Sequence, residues 1–201
     1  PAKEMRWVGF IGDPPDKLEL ALYADSDLAG DRRDCESTSG IFLVLIGPPT
    51  FYPLAPVSQK HTAASHPSPA AELAALDKAV KDLGIPALDL WERILGRTPK
   101  LTIYEDNQAA AQIVKTGKSH KLRHVRRAHG IYISALHDWY KDGTFTLADC
   151  HTNAQAADLL TKAFTNPGSW EHAYTLIGML DGATVRRSLA NSTEKPANPR
   201  G

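Results

Sequence analysis

The sequence has little that would place the protein in a membrane, a secretory pathway or a disulfide-stabilised class. No stretch of its 201 residues approaches the ~20 apolar residues that a membrane helix needs. The N-terminus lacks the basic-then-apolar profile of a signal peptide. The two cysteines, Cys35 and Cys150, have no metal-ligand spacing, so we expect free thiols. These absences predict an intracellular, cytoplasmic protein with no membrane partner.

The formal net charge is zero, but the distribution of charge along the chain is uneven. The chain has 23 Lys and Arg against 23 Asp and Glu, so the total says nothing about partners. Between Lys115 and Arg127, however, the segment KTGKSHKLRHVRR is rich in basic residues and contains no acid. Such a segment attracts phosphate. A solvated face beside a flexible turn at Gly117 is the alternative interpretation.

Apolar runs and turn residues predict the element order βββ, α, β, α, α, β, α. The strands are expected near residues 18–23, 40–46, 51–59, 101–104 and 144–150, and the main helices near 69–83, 107–117, 125–141 and 154–164. A three-strand meander followed by alternating helices and strands predicts an α/β fold. Its centre is a five-stranded mixed sheet, antiparallel at one edge and parallel beyond, with helices on both faces.

The predicted domain covers residues 18–165. Residues 1–17 contain glycine and a proline pair, which predict an irregular lead-in, and the start at Pro1 suggests a piece of a longer chain. Residues 166–185 are expected to add a C-terminal helical extension. The polar, proline-bearing residues 186–201 have the composition of a disordered tail.

Four acidic residues, far apart in the chain, occupy settings that would bring them together. Asp25 and Asp106 each follow an apolar strand-like run, and Glu72 and Asp158 each lie one turn into a predicted helix. Ligands of open α/β sheets gather beyond the carboxyl ends of parallel strands. If the two strands pair and both helices point their first turns to that edge, four carboxylates converge. Carboxylate oxygens are the ligands that hard divalent cations prefer.

The motifs around these acids resemble a known family. In order, they are YADSDLAGD, STSG, SPAAELAAL, YEDNQAA and AADLLTK, and together they resemble the ribonuclease H domain of copia-type LTR retrotransposon polyproteins. The resemblance covers roughly residues 18–165. It implies a ribonuclease H-like fold and hydrolysis of the RNA strand of RNA/DNA hybrids during reverse transcription. It also implies two Mg²⁺ ions, with Mn²⁺ able to substitute, a reverse transcriptase domain of the same polyprotein as partner, and virus-like particles as location.

The resemblance assigns roles to individual positions. It makes Asp25, Glu72, Asp106 and Asp158 the catalytic metal ligands, and separates Asp25 from the turn residue Asp27. His151 precedes Asp158 by seven residues and is a catalytic candidate by analogy with other ribonucleases H, the alternative being an exposed histidine at a strand end. The candidate substrate-binding residues are Ser26, Ser39, Asn107, Gln108, Lys115, Lys118, Lys121, Arg123, His124, Arg126 and Arg127.

Departures from the family pattern keep other functions open. The usual S-S-T-E-A-E is here Pro67-Ser68-Pro69-Ala70-Ala71-Glu72, and Leu28 replaces the motif aromatic. The first alternative is a catalytically inactive domain that binds nucleic acid or acts as a scaffold. The second is another nuclease of the same broad fold, such as an integrase-type strand transferase or an exonuclease.

Overall fold

A mixed β-sheet lies at the centre of the protein. The computed structural model describes residues 4–27, 37–60, 68–119 and 131–186. The central strands are Glu19–Asp27 (β2), Thr38–Ile46 (β3), Phe51–Lys60 (β4), Leu101–Glu105 (β5) and Thr146–Asp149 (β6). They lie in the order β4-β3-β2-β5-β6. Antiparallel pairing joins β2, β3 and β4, and parallel pairing joins β2, β5 and β6, so the predicted five-stranded mixed sheet is confirmed.

The position of each strand follows from its residues. Strands β2 and β3 are apolar on both sides and lie inside the sheet, covered on both faces. Strand β4 carries Pro53 and Pro56, which cannot donate to a ladder, and it is an edge strand. Strand β2 is longer than predicted, so Asp25 lies within the strand and not beyond its end.

Four α-helices pack against one face of the sheet or at its end. They are Ser68–Lys78 (α1), Ile85–Leu95 (α2), Gln108–Thr116 (α3) and Ile133–Lys141 (α4). Between α1 and α2, Ala79–Gly84 forms a π-helical turn in which the Ile85 N–H donates to the Val80 carbonyl. The wider turn accommodates Pro86, which has no N–H to continue the α-helical pattern. The larger apolar core lies between these helices and the sheet, with Leu22, Ile41 and Leu73 fully buried.

The opposite face carries a second, smaller core. Ala21, Phe42 and Val44 from the sheet pack with Ala156 and Ile177. The chain here was expected to form a helix over 154–164, but that prediction is wrong. Two short 3₁₀ helices occupy Thr152–Ala154 and Ala156–Leu160, and we call the second the 3₁₀ segment. The helix expected in the C-terminal extension is present at Pro167–Leu176 (α5).

The N-terminal residues are more regular than predicted. Met5–Trp7 (β1) pairs antiparallel with Met179–Asp181 (β7), which makes a separate two-stranded sheet from the two ends of the described chain. The Trp7 indole N–H also donates to the Ile177 carbonyl. The lead-in therefore packs against the C-terminal extension. No helix in the described residues is long and apolar enough to cross a bilayer.

Candidate functional site

Parallel pairing of β2 and β5 brings two of the predicted acids to one edge of the sheet, the edge formed by the carboxyl ends of these two strands. Tyr23 of β2 is the register partner of Tyr104 of β5, and the two rings stack at a centroid distance of 4.8 Å. Asp25 and Asp106 each follow their tyrosine by two residues. The Asp25 side chain is almost fully buried, whereas Asp106 is half-buried just past the strand end. The side-by-side placement predicted from the sequence is confirmed.

The 3₁₀ segment brings Asp158 to the same edge. Gln155 holds the segment onto β2, because its side-chain amide donates to the Ala24 carbonyl at 3.0 Å. The Gln155 side-chain oxygen also accepts from the Ala157 N–H and caps the first turn. Gln155 is 1% exposed. The backbone beside Asp25 is thereby tied to the backbone that carries Asp158.

Gly40 allows this close approach. It is the register partner of Asp25 on β3 and ends the STSG motif. A Cβ atom at Gly40 would lie 2.7 Å from the Ala157 carbonyl oxygen and 2.6 Å from the Thr161 methyl group. A Cβ atom does not approach non-bonded atoms this closely, so any larger residue would push the 3₁₀ segment away. The glycine therefore sets the distance between Asp158 and β2.

Glu72 approaches from α1 and meets a second glutamate that the sequence analysis missed. Glu72 is 6% exposed and Glu105, the last residue of β5, is 1% exposed. The alternation along β5 places Glu105 on the face of Leu101 and Ile103, and this pattern could have identified it as buried. Glu105 Oε1 accepts the Asn107 N–H at 2.9 Å. It thus holds the turn that carries Asp106.

The carboxylates interact strongly with one another. Burial raises the pKa of Glu72 to about 9, and the charges of Glu105, Asp25 and Asp106 raise it in the same direction. Burial also raises the pKa of Glu105 to about 8, opposed by its hydrogen bond from Asn107. Burial and the neighbouring charges therefore disfavour the ionised forms of Glu72 and Glu105 in the absence of a cation.

Asp158 has a smaller shift of the same sign. Burial raises its pKa to about 6, and the charges of Asp25 and Asp106 act in the same direction, against the hydrogen bond from Lys162. Asp25 and Asp106 therefore lie within electrostatic range of both Glu72 and Asp158.

Two residues that follow Asp158 contact the cluster directly. The Thr161 hydroxyl donates to Asp25 Oδ2. Lys162 Nζ lies 2.6 Å from Asp158 Oδ1 and 3.4 Å from Asp25 Oδ1. The end of the AADLLTK motif thus supplies a hydroxyl and an ammonium group to the carboxylates.

The donor set agrees in kind with hard divalent cations. Every predicted ligand is a carboxylate, and Glu72 Oε2 is a buried oxygen with no hydrogen-bond partner among the described residues. The arrangement is not that of a preformed metal centre, since no group of three or more His, Cys, Asp or Glu in the described ranges is spaced to hold an ion. Lys162 neutralises part of the charge instead.

His151 lies near this edge with a structural contact. It is exposed, and its Nδ1 accepts the Asn153 N–H at 3.2 Å, which caps the first 3₁₀ helix. Its neighbour Thr152 places its hydroxyl 3.5 Å from Asp106 Oδ2. The catalytic role considered for His151 has no contact in its favour among the described residues.

The predicted substrate-binding residues divide into buried and exposed groups. Ser26 and Ser39 are register partners and are 8% and 1% exposed. The sequence predicts that both contact the substrate, but in the structure neither presents its hydroxyl to a ligand. Asn107 caps α3, because its side-chain oxygen accepts the N–H groups of Ala109 and Ala110 in the first turn. Gln108 is exposed at the start of that helix.

Part of the basic segment continues from the same helix. Lys115 and Lys118 are exposed at the C-terminal end of α3, where Gly117 adopts a left-handed conformation with φ 69°. At about 1.5 Å per residue, α3 carries the chain about 10 Å from Gln108 to Lys115. The remaining predicted contacts, Lys121, Arg123, His124, Arg126 and Arg127, lie outside the described residues.

A cleft of about 610 Å³ adjoins Asp158 on the side of α5. Phe164, Asn166 and His172 form part of its wall. The only thiol among the described residues, Cys150, is free and half-buried, and Asp106 and Asp158 contribute to the raised pKa of about 11 that burial gives it.

Comparisons with known proteins give distant likenesses. No family model matches the chain, and no curated protein matches it. One similar solved structure is the foamy viral protease-reverse transcriptase in complex with dsDNA, with 15% identity and a TM-score of 0.49 over 82% of this chain and 99% of that chain. Another is the N-terminal RNase H domain of Rv2228c from Mycobacterium tuberculosis, solved as a fusion with maltose binding protein, with 17% identity and a TM-score of 0.40 over 79% of this chain and 98% of that chain. Both likenesses are distant, so they assign no function to this chain.

Proposed function

We propose that the protein is a ribonuclease H that hydrolyses the RNA strand of RNA/DNA hybrids with the help of two Mg²⁺ ions, for which Mn²⁺ can substitute. Asp25, Glu72, Asp106 and Asp158 would hold the ions. The observation that carries this proposal is the meeting of four acids from four separate elements at one sheet edge, where the charges of Asp25 and Asp106 add to the raised pKa values of both Glu72 and Asp158. Burying acids that repel one another costs folding stability. Such clusters are typical of sites that bind cations or a substrate.

The residues of the chain would divide the work by position. Asp25 is fixed by the Thr161 hydroxyl and by its place inside β2, so it offers a rigid anchor. Asp106, half-buried past the strand end, would face the approaching substrate. Gln155 and Gly40 position Asp158, and Glu105 orients the turn before Asp106. When bound, the ions would activate water and stabilise charge on the attacking and leaving oxygens.

The hybrid would be held by neutral and basic groups beside this edge. Gln108 is exposed next to Asp106, and Lys115 and Lys118 lie one helix length away. Basic side chains bind phosphates without reading sequence, while 2′-hydroxyls distinguish RNA from DNA. We propose that the remainder of the basic segment extends this surface. The sequence resemblance further suggests a reverse transcriptase domain as partner and virus-like particles as location.

A non-catalytic nucleic-acid-binding domain is the second candidate. It is favoured by the ion pairs of Lys162 with Asp25 and Asp158, and by the lack of a preformed metal centre among the described residues. A different nuclease of the same broad fold would use the same acids on another substrate.

Cleavage assays separate these functions. End-labelled RNA/DNA hybrid, duplex DNA and duplex RNA are incubated with the protein and MgCl₂ or MnCl₂. Ribonuclease H activity predicts cleavage confined to the RNA strand of the hybrid. Cleavage of duplex DNA would instead indicate the other nuclease, and binding of the hybrid without cleavage in either metal would indicate the non-catalytic domain.

A further inference from the structure

Lys162 occupies a particular place within the cluster of acids. Its Nζ lies 2.6 Å from Asp158 Oδ1 and 3.4 Å from Asp25 Oδ1, so one ammonium group bridges two elements that carry predicted metal ligands. The Thr161 hydroxyl donates to the second oxygen of Asp25. Asp25 Oδ1 and Asp158 Oδ1 thus share a cation that belongs to the chain itself.

This bridge differs from an ordinary surface ion pair. The Asp25 and Asp158 side chains are only 3% and 12% exposed, whereas Lys162 is 34% exposed. Two buried carboxylates without a counter-ion would repel each other, and the penalty would fall on the contact between β2 and the 3₁₀ segment. Lys162 offsets that penalty, and its partly exposed side chain borders solvent.

The ammonium group and a divalent ion would compete for the same carboxylate oxygens. A cation that coordinates Asp25 and Asp158 lies close to these oxygens, and like charges at such distances repel strongly. The flexible four-carbon stem of lysine allows the head group to move away while the backbone of the 3₁₀ segment stays in place.

We propose that Lys162 is a built-in counter-ion of the metal-free site, which holds Asp25 and Asp158 together and is displaced when a divalent ion binds. The proposal rests on the proposed function, because it requires these acids to be metal ligands. It makes Lys162 a positioning residue whose ammonium competes with the metal.

Metal binding without nucleic acid provides the test. The affinity for Mn²⁺ is measured by calorimetry for the parent protein, Lys162→Met and Lys162→Arg. Removing the competing charge is expected to tighten Mn²⁺ binding by about fivefold or more, while the metal-free Lys162→Met protein unfolds more easily. Lys162→Arg keeps a cation and is expected to bind Mn²⁺ within about twofold of the parent.

Lys81 offers a matched control. It forms the same i,i+4 ion pair with Asp77 at 2.7 Å, with side-chain exposures of 38% and 11%, and none of the four proposed ligands contributes to the raised pKa of Asp77. Lys81→Met is expected to leave Mn²⁺ affinity unchanged. Unchanged or weaker Mn²⁺ binding by folded Lys162→Met would overturn the proposal.

A second measurement needs no variant to fold. Nitrogen-detected NMR of the lysine ammonium groups in the parent protein is expected to show the Lys162 signal shifting when Mg²⁺ is added, with the Lys81 signal unchanged. A static Lys162 signal in protein that binds Mg²⁺ would contradict displacement. Absence of metal binding in both the parent and Lys162→Met would instead overturn the two-metal function, and this inference with it.

Discussion

Replacing Glu72 with glutamine is expected to stabilise the metal-free protein at neutral and alkaline pH, although it removes a proposed metal ligand. Burial and three neighbouring acids raise the pKa of Glu72 from 4.5 to about 9. The folded protein therefore keeps this carboxyl protonated where the unfolded chain has lost its proton. The stability contributed by the neutral form is fully present below pH 4.5 and is lost as the pH rises towards 9.

The size of the effect follows from the shift. Each pH unit between the two pKa values costs about 1.4 kcal/mol, which sets an upper limit of about 3.5 kcal/mol at pH 7. Entry of water and relaxation of the neighbouring acids reduce the penalty, so a gain of between about 1 and 3 kcal/mol is expected for Glu72→Gln. Glutamine has nearly the same shape and carries no charge at any of these pH values.

Urea unfolding in EDTA at pH 5, 6, 7 and 8 measures this gain. The difference in free energy of unfolding between Glu72→Gln and the parent is expected to grow steadily with pH. Glu171→Gln makes the same substitution at an exposed position of α5 and is expected to stay within about 0.5 kcal/mol of the parent throughout. A difference that does not change with pH, or a Glu72→Gln protein less stable than the parent at pH 8, would refute the reasoning.

Three other substitutions test how the site is positioned and what it binds. Gly40→Ala places a methyl group against the 3₁₀ segment and is expected to cost about 1–3 kcal/mol in urea unfolding, with weaker Mn²⁺ binding; an unchanged protein would contradict the close contact. Gln155→Leu leaves the Ala24 carbonyl unpaired and is expected to cost about 1–3 kcal/mol in the same assay, so a neutral result would count against its anchoring role. Replacing both Lys115 and Lys118 with glutamine is expected to weaken hybrid binding and lower the slope of log K against log salt by up to about 2. An unchanged slope would remove α3 from the substrate surface.

The sequence predicted those parts of the site that depend on local patterns. Apolar runs identified β2 and β5, and their parallel pairing placed Asp25 beside Asp106 as expected. The helical periodicity after Pro69 identified α1 and hence Glu72. These elements could be predicted because their apolar residues must be buried in the core, whichever other segments pack against them.

Features that depend on contacts between distant segments could not be predicted in this way. The residues around Asp158 favour an α-helix. The structure instead has two 3₁₀ helices here, and Gln155 anchors the second of them to β2. Strand β1 exists only because β7 pairs with it, some 170 residues later in the chain. The role of Lys162 could not be predicted, because lysine is common near the end of a helix and its contact with Asp25 depends on the fold.

Cleavage of the RNA strand of a hybrid by Asp25→Asn and Asp27→Asn, compared with the parent protein in MgCl₂, tests the central claim most directly. Both substitutions remove one carboxylate from the same strand, two residues apart, and asparagine keeps an oxygen that can accept from Thr161. The account predicts that Asp25→Asn remains folded and loses cleavage by at least about 100-fold, while Asp27→Asn retains cleavage close to that of the parent. Equal cleavage by Asp25→Asn and the parent would contradict it.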